Sequence, residues 1–472
     1  LELLKRKSKS RTDPIDWNPK SINMTQEVVG EMEEYLTQYY EKHKKSEQAW
    51  QKARRVLPLG VGSNVRGFSP FPFFIKESRG AKVWDIDGNE YIDCQLAYGP
   101  LMVGHAHPKL IAAIQDQMSK GSVYAMPYEK QYEAIQELQK RFPVMEMLRF
   151  GNSGTEVTMH AIRAARGYTG KDKIIKLEGG YHGPHDYALW SIHPQAGQTG
   201  PERHPSVVKM SEGVPACVGD TVIVVPYNNI EALEYAVRKY EGEIAAFILE
   251  PVMGNSTCIL PRDGYLKKVR QITQKENIVL IFDEVITGCR VAYGGATEYF
   301  KVNPDMITLS KAIGGGYSVA AFGGKREIMQ LIENQVAHYG TYNANPIGIT
   351  AVVTTLRDIL TPEATKKLIA KSDEVFAEMD GILKKSGVAA QLAHIGAMGS
   401  IAFTDEDVKD YRTMLSMSKE LWHKFFINML NKGVIMIGGD PTETIFFSVQ
   451  HTDEDYEKIL TCFKETVNTL QA

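Results

Sequence analysis

The chain has 472 residues, with 54 Lys and Arg against 57 Asp and Glu, a formal charge of −3 that argues against a nucleic-acid partner. An apolar share of 43% with 24% charged residues excludes a disordered chain, a collagen-like repeat and a small disulfide scaffold, and the length calls for two or more lobes. No apolar run approaches the roughly 18 residues of a membrane span and no signal pattern opens the chain, so a cytoplasmic protein with no membrane partner is expected. Residues 1–48 read as an N-terminal extension or linker. They begin at Leu1 rather than Met and carry the basic cluster Lys5, Arg6, Lys7, Lys9 and Arg11, which suggests a solvated tail or a segment cut from a longer polypeptide. Residues 49–104 are assigned to the N-terminal part of a small lobe. Within them, two short alternating runs flank Asp87-Gly88-Asn89, a hairpin signal. After Pro108, Leu110, Ile111, Ile114 and Met118 fall at helical spacing and stop at Gly121.

Residues 105–345 form the expected large domain. Apolar runs at 147–150, 173–177, 221–226, 244–249, 278–282 and 306–309 alternate with helical periodicity, which predicts an α/β fold with a mainly parallel sheet covered on both faces. Residues 346–472 are richer in long amphipathic stretches, 363–384 and 411–432, followed by a short run at 444–449. They read as a second, smaller α+β lobe. The five cysteines, Cys94, Cys217, Cys258, Cys289 and Cys462, are scattered and odd in number, and read as reduced thiols. His105 and His107, in Gly-His-Ala-His-Pro, have no third ligand nearby and read as loop and capping residues, so no metal is expected.

In open α/β sheets the ligand lies outside the carboxyl ends of the strands, so the residues after each run are the informative ones. They are Gly151-Asn-Ser-Gly-Thr155, Glu178-Gly-Gly-Tyr-His-Gly183, Tyr227-Asn228, Glu250-Pro251, Asp283-Glu284 and Ser310-Lys311. The first precedes a helix, so its free N–H groups with the Ser153 and Thr155 hydroxyls suit a phosphate; a plain N-cap is the alternative. Lys311 follows a buried strand and precedes three glycines, where a desolvated amine suits Schiff-base chemistry and a surface lysine at a turn is the alternative. Asp283 ends a wholly apolar strand and needs a cationic partner such as a pyridinium nitrogen, or else caps a turn. Tyr181 offers a flat ring for stacking, and His182 beside it is either part of that site or a satisfied loop histidine.

Ser-Gly-Thr, Tyr-His-Gly, Glu-Pro, Asp-Glu-Val-x-Thr-Gly and Ser-Lys-x-Ile-Gly-Gly-Gly, in this order, resemble the class III pyridoxal-phosphate aminotransferases of fold type I. The similarity runs from about residue 56 to the end and is greatest to the glutamate-1-semialdehyde 2,1-aminomutase branch. The resemblance implies pyridoxal 5'-phosphate joined to Lys311, which also moves the proton, with Asp283 at the ring nitrogen and Val285 and Tyr181 on the two ring faces. It implies Glu250 and Asn255 near the ring hydroxyl, and Ser153, Gly154 and Thr155 at the phosphate, with His182 beside the cofactor. It further implies Thr341 reaching the phosphate of a neighbouring subunit, hence a homodimer with sites at its interface, and Arg66 on the substrate carboxylate.

Three departures bear on the substrate. Ala97-Tyr98-Gly99-Pro100 replaces the aminomutase Ser-Trp-Gly-Pro beside the ring, residues 191–212 lengthen the loop that gates the mutase site, and the N-terminal extension is absent from that branch. Glu443 and the Gly-Cys-Arg290 ending favour the mutase. The departures lead to the expectation of an aminotransferase working between an amino-acid donor and a carbonyl acceptor. The acceptor is taken as a β-keto acid, giving a β-amino acid, or its acyl thioester on a carrier protein, in an excised domain of a synthase. The aminomutase is the alternative, and a phosphate-ligand binding protein without turnover a third reading.

Overall fold

The computed structural model describes residues 26–436, 438 and 441–470. The basic cluster at Lys5–Arg11 therefore lies outside the described residues. Seven strands form the central sheet: β1 (Met147–Gly151), β2 (Lys173–Leu177), β3 (Val222–Val225), β4 (Ile244–Leu249), β5 (Val279–Asp283), β6 (Met306–Leu309) and β7 (Ala320–Gly324). Their order is β1-β7-β6-β5-β4-β2-β3, with β6, β5, β4, β2 and β3 parallel and β7 antiparallel to both its neighbours. Every residue of β4 and β5 is buried, as helix-covered parallel strands require. The helix Gly154–Thr169 crosses one face against β7, β6 and β4.

Six of these strands coincide with the apolar runs. β7 has no such signal, because Ala-Ala-Phe-Gly-Gly is small rather than apolar. The smallness is needed there: a Cβ on Gly323 would stand 2.5 Å from the Met147 carbonyl oxygen, and one on Gly324 would collide with that of Asp305.

A second sheet takes Ile75–Arg79, Lys82–Asp85, Glu90–Asp93 and, in parallel, Val434–Ile435 from the far end of the chain. Its hairpin turn is closed by Asp85, whose Oδ1 accepts from the N–H groups of Asp87, Gly88 and Asn89 at 2.8–3.0 Å. A third sheet orders Gln391–Ile395, Met398–Ala402 and Ile445–Phe446. The first helix, Gln26–Lys42, packs on Lys419–Asn431, with Tyr39 buried and its hydroxyl donating to the Phe71 carbonyl at 2.7 Å.

The stretch expected as one helix over 411–432 is two, Tyr411–Met414 and Lys419–Asn431. Ser418 causes the break: its N–H donates to Phe403 O at 2.8 Å, and its hydroxyl caps the second helix by accepting from Leu421 N. Among the described residues no helix is long and apolar enough to cross a membrane.

Candidate active site

The carboxyl edge of β4, β5 and β6 gathers the charged groups. Asp283 ends β5, 4% exposed, and is held at three points: His182 Nδ1 lies 2.8 Å from Oδ2, while Thr308 Oγ1 (3.0 Å) and Val285 N (3.1 Å) donate to Oδ1. His182 is itself buried, and Thr158 Oγ1 donates to its carbonyl at 2.6 Å. Its Nε2 is buried with no partner among the described residues. His182 thus stands behind Asp283 and orients it. Thr308 is a site residue the sequence reading missed, although a lone hydroxyl inside the run Met-Ile-Thr-Leu was the available signal.

Glu250 follows β4 and accepts from Tyr181 N at 3.0 Å and Asn255 Nδ2 at 2.9 Å. Burial raises its carboxyl above the ordinary range, opposed by His182 and the Tyr181 N–H. The Tyr181 ring is more than a third exposed. Lys311 follows β6 at a positive φ of 47° and is half-buried. Burial pushes its amine down to about 8, Arg290 adds to the fall, and Glu250, Asp283 and Glu443 oppose it.

The 151–155 loop is shaped for close approach. Ser153 caps Gly154–Thr169, accepting from Glu156 N at 3.2 Å. A Cβ on Gly154 would meet Val285 at 3.1 Å, and one on Gly183 would meet Thr155 Oγ1 at 2.6 Å, so both glycines make room between neighbouring loops.

The remaining expected residues lie around this centre. Thr341 sits in the exposed 339–343 segment, lining a cleft of about 430 Å³ with Asn152, Glu156 and Arg163. Asn152 Nδ2 donates to Asn343 Oδ1 at 3.0 Å, which ties that segment to the 151–155 loop. Arg66 is exposed in the short turn Asn64–Arg66, and Tyr98 reaches it indirectly, donating to Val65 O at 2.6 Å. Glu443 accepts from Gln95 Nε2 at 2.8 Å. Tyr227 and Asn228 do not join the site. Tyr227 is buried behind it with its hydroxyl on Pro251 O, and Asn228 bonds the carbonyls of Leu260 and Lys409. Glu284 is also structural, accepting from Ala296 N and Thr297 N. His105 pairs with Asp93 at 2.8 Å, and His107 occupies an N-cap position without a side-chain cap bond.

The 191–212 loop is pinned from the short helix Tyr411–Met414. Arg412 donates from Nε to Glu178 Oε2 at 2.7 Å and from Nη2 to Oε1 at 3.1 Å, and also reaches Gly200 O and Thr199 O. Tyr411 donates to Pro194 O at 3.1 Å.

The sequence profile described as Aminotransferase class-III matches residues 64–467. This chain belongs to the class III aminotransferase family. A glutamate-1-semialdehyde 2,1-aminomutase of Methanocaldococcus jannaschii is 41% identical over 430 residues, 90% of this chain and 99% of the relative. Among solved structures, an ω-transaminase from Sphaerobacter thermophilus aligns with a TM-score of 0.86 at 31% identity, covering 90% of this chain and 98% of that one. A transaminase with PLP bound aligns at 0.82 and 26% identity, covering 91% and 98%. The cofactor of the class is pyridoxal 5'-phosphate, and the residues of this class III site fit it. A carboxylate fixed at three points suits a ring nitrogen, a half-buried amine suits a carbonyl carbon, and a glycine-lined helix N-terminus suits a phosphate.

The relatives correct the expected activity. At about 41% identity they are named aminomutases, so the β-amino acid aminotransferase, its carrier-borne acceptor and the synthase setting are not supported. The signs taken against the mutase were the Ala97-Tyr98-Gly99-Pro100 segment, a lengthened loop and an added N-terminal segment, and the identity to the named aminomutases outweighs all three.

Proposed function

We propose that this chain is a pyridoxal 5'-phosphate-dependent glutamate-1-semialdehyde 2,1-aminomutase, an isomerase that moves an amino group within one small molecule. The observation that carries the reading is 41% identity across nine-tenths of the chain and nearly all of a relative of that name. When bound, the cofactor draws electrons from the substrate carbon and makes its C–H acidic. The chain's own groups do the rest. Asp283, fixed by His182, Thr308 and Val285 N, holds the ring nitrogen. Lys311 Nζ accepts and returns the proton, and with its amine lowered to about 8 roughly a tenth of it is unprotonated at pH 7, far more than for an ordinary lysine. Ser153, Gly154 and Thr155 hold the phosphate, Val285 and Tyr181 flank the ring, and Glu250 with Asn255 lies at its polar edge. Arg66 takes the substrate carboxylate as a planar fork, Tyr98 sets the position of its loop, and Glu443 with Gln95 forms the polar wall opposite. The pinned 191–212 loop shields the substrate from water between the two transfers.

The active unit in this reading is a homodimer, with Thr341 serving the partner's phosphate site. The exposed 339–343 segment supports it, since Tyr339 and Tyr342 are 88% and 62% exposed in the single chain. The test is incubation of the purified holoenzyme with glutamate-1-semialdehyde alone. Conversion without a keto acid is expected, and Lys311→Ala abolishes it together with the visible absorbance of the lysine-linked cofactor. Conversion that depends on an added keto acid, or activity surviving in Lys311→Ala, refutes the reading.

A further inference from the structure

A basic cleft lies at the opposite ends of the strands that deliver Asp283 and Lys311. Asp305 immediately precedes β6, Lys325 immediately follows the antiparallel β7, and the helix Tyr265–Lys275 leads into β5, so all three meet at the amino edge of the sheet. Between them opens a cavity of about 470 Å³, with Lys267, Arg270, Lys301, Lys325 and Asp305 in its walls. Four cations and one carboxylate give those walls a net charge of +3, in a chain whose formal charge is −3.

The cations are built into place. The Asp305 side chain is 7% exposed; its Oδ2 accepts from Arg270 Nη1 at 2.8 Å and from Leu280 N at 2.9 Å, and its Oδ1 lies 2.8 Å from Lys325 Nζ. Both oxygens are thereby spent on holding Arg270 and Lys325 at the wall, and two further cations stay uncompensated. Lys267, Arg270, Gln271 and Gln274 fall at i, i+3, i+4 and i+7 of the helix Tyr265–Lys275, the spacing that a helix packed on a core fills with apolar residues, and here that stripe faces the cleft. Lys301 closes the helix Gly295–Phe300 at a φ of 54°, a left-handed position where glycine is the ordinary choice. Neither Lys267 nor Lys301 forms an ion pair among the described residues. Glu327, two residues after Lys325, stands outside the cleft and accepts from the Tyr168 hydroxyl at 3.0 Å.

We propose that this cleft is a second ligand site, which binds a compact polyanion such as a diphosphate-bearing small molecule. Four like charges gathered in one concavity repel each other and focus a positive field into it, and an anion of two or more charges relieves both. The hydrogen-bonding capacity points the same way. With the Asp305 oxygens filled, the charged groups left are N–H donors, and Arg270 has spent only Nη1. A ligand made of charged oxygens matches that set, and planar donor forks favour phosphoryl and carboxylate groups. The volume suits a small molecule. The cleft and Lys311 lie at opposite edges of the sheet, so its ligand neither competes with the substrate nor touches the 151–155 loop.

The test is calorimetric titration of the holoenzyme with inorganic pyrophosphate at about 0.1 M salt, the holoenzyme being used so that the cofactor phosphate fills its own site. One saturable site per chain with a Kd below about 1 mM is expected. Lys267→Gln combined with Lys301→Gln removes two exposed cations without disturbing Asp305, and weakens binding at least about tenfold. Lys268→Gln, exposed on the same helix and outside the cleft, leaves the Kd unchanged. Absence of saturable binding overturns the proposal, as does an unchanged Kd in the double variant or an equal loss in Lys268→Gln. Binding of polyglutamate in place of pyrophosphate also overturns it, in favour of a surface for an acidic protein. No turnover enters the measurement, so its failure is distinct from failure of the aminomutase assay.

Discussion

Arg412→Met removes the clamp on the 191–212 loop, and the structure sets the size of the effect. Glu178 is 1% exposed in its side chain and Arg412 21%, so losing the cation leaves a carboxylate buried without its partner. Breaking such a pair costs about 3–5 kcal/mol, and the partial exposure of Arg412 places this case near 3. The carbonyls of Thr199 and Gly200 lose their donor as well. The cost falls on local opening rather than on the whole fold, and about 3 kcal/mol is roughly a hundredfold in the open population. Trypsin reports it, because exposed Arg203 lies inside the loop, its guanidinium 4.6 Å over the Tyr235 ring. Cleavage after Arg203 should accelerate by roughly that factor.

The pH dependence fixes the cause. Burial already raises the Glu178 carboxyl, and Arg412 is the main group opposing it. In the variant the folded value rises further above the unfolded one, so the penalty is full above the folded value and fades as the group protonates on acidification. The acceleration is therefore larger at about pH 8 than at about pH 5. Glu178→Gln removes the charge instead and leaves Arg412 bonded to the loop carbonyls, so it should cost only about 1 kcal/mol. Equal cleavage of the parent and Arg412→Met, or a glutamine variant more labile than the methionine one, refutes the clamp.

Three other outcomes are expected. Gly183→Ala places a methyl group against Thr155 at a φ of 93°, and strain of about 2–4 kcal/mol weakens cofactor affinity by roughly 30- to 1000-fold, read by titrating the cofactor-free protein with pyridoxal phosphate. Thr308→Val removes one of three groups fixing Asp283, and should keep the cofactor while lowering kcat by about 3- to 10-fold. Lys176, buried inside β2 with its amine on the carbonyls of Leu177 and Trp190, is pushed by burial down to about 7. Its folded value lies below the unfolded one, so its cost is full below pH 7 and fades as the unfolded chain also loses the proton. Urea unfolding should show the parent gaining stability on Lys176→Met as pH rises from about 7 to about 10.

The sheet was largely legible because parallel strands buried on both faces leave near-continuous apolar runs, and β4 is the clear example. β7 was not, since its role is to let two neighbouring strands approach, and glycine serves that purpose without a hydrophobic signature. The break at Ser418 was hidden because both flanking segments keep helical periodicity, and only the pairing of Ser418 with Phe403 decides it. In the site, Lys311, Asp283 and Glu250 stood out as charges at the ends of apolar strands, where burial demands a reason. Their supporting groups are long-range: Thr308 is 25 residues from Asp283, Gln95 is 348 from Glu443, and no local spacing connects them.

The same distinction explains why the chemistry was readable and the substrate misjudged. Reaction class depends on a few groups whose types are rare at strand ends, so their presence carries information one residue at a time. The choice between keeping an amino group in one molecule and passing it to another depends on whether the substrate stays enclosed between two transfers. In the proposed reading that falls to the 191–212 loop and to what fastens it. Loop length was the visible quantity, and it counted against the mutase. The fastening, Thr199 and Gly200 with Arg412 and Pro194 with Tyr411, joins segments more than 200 residues apart and supports the proposed reading, because the longer loop is held at both places.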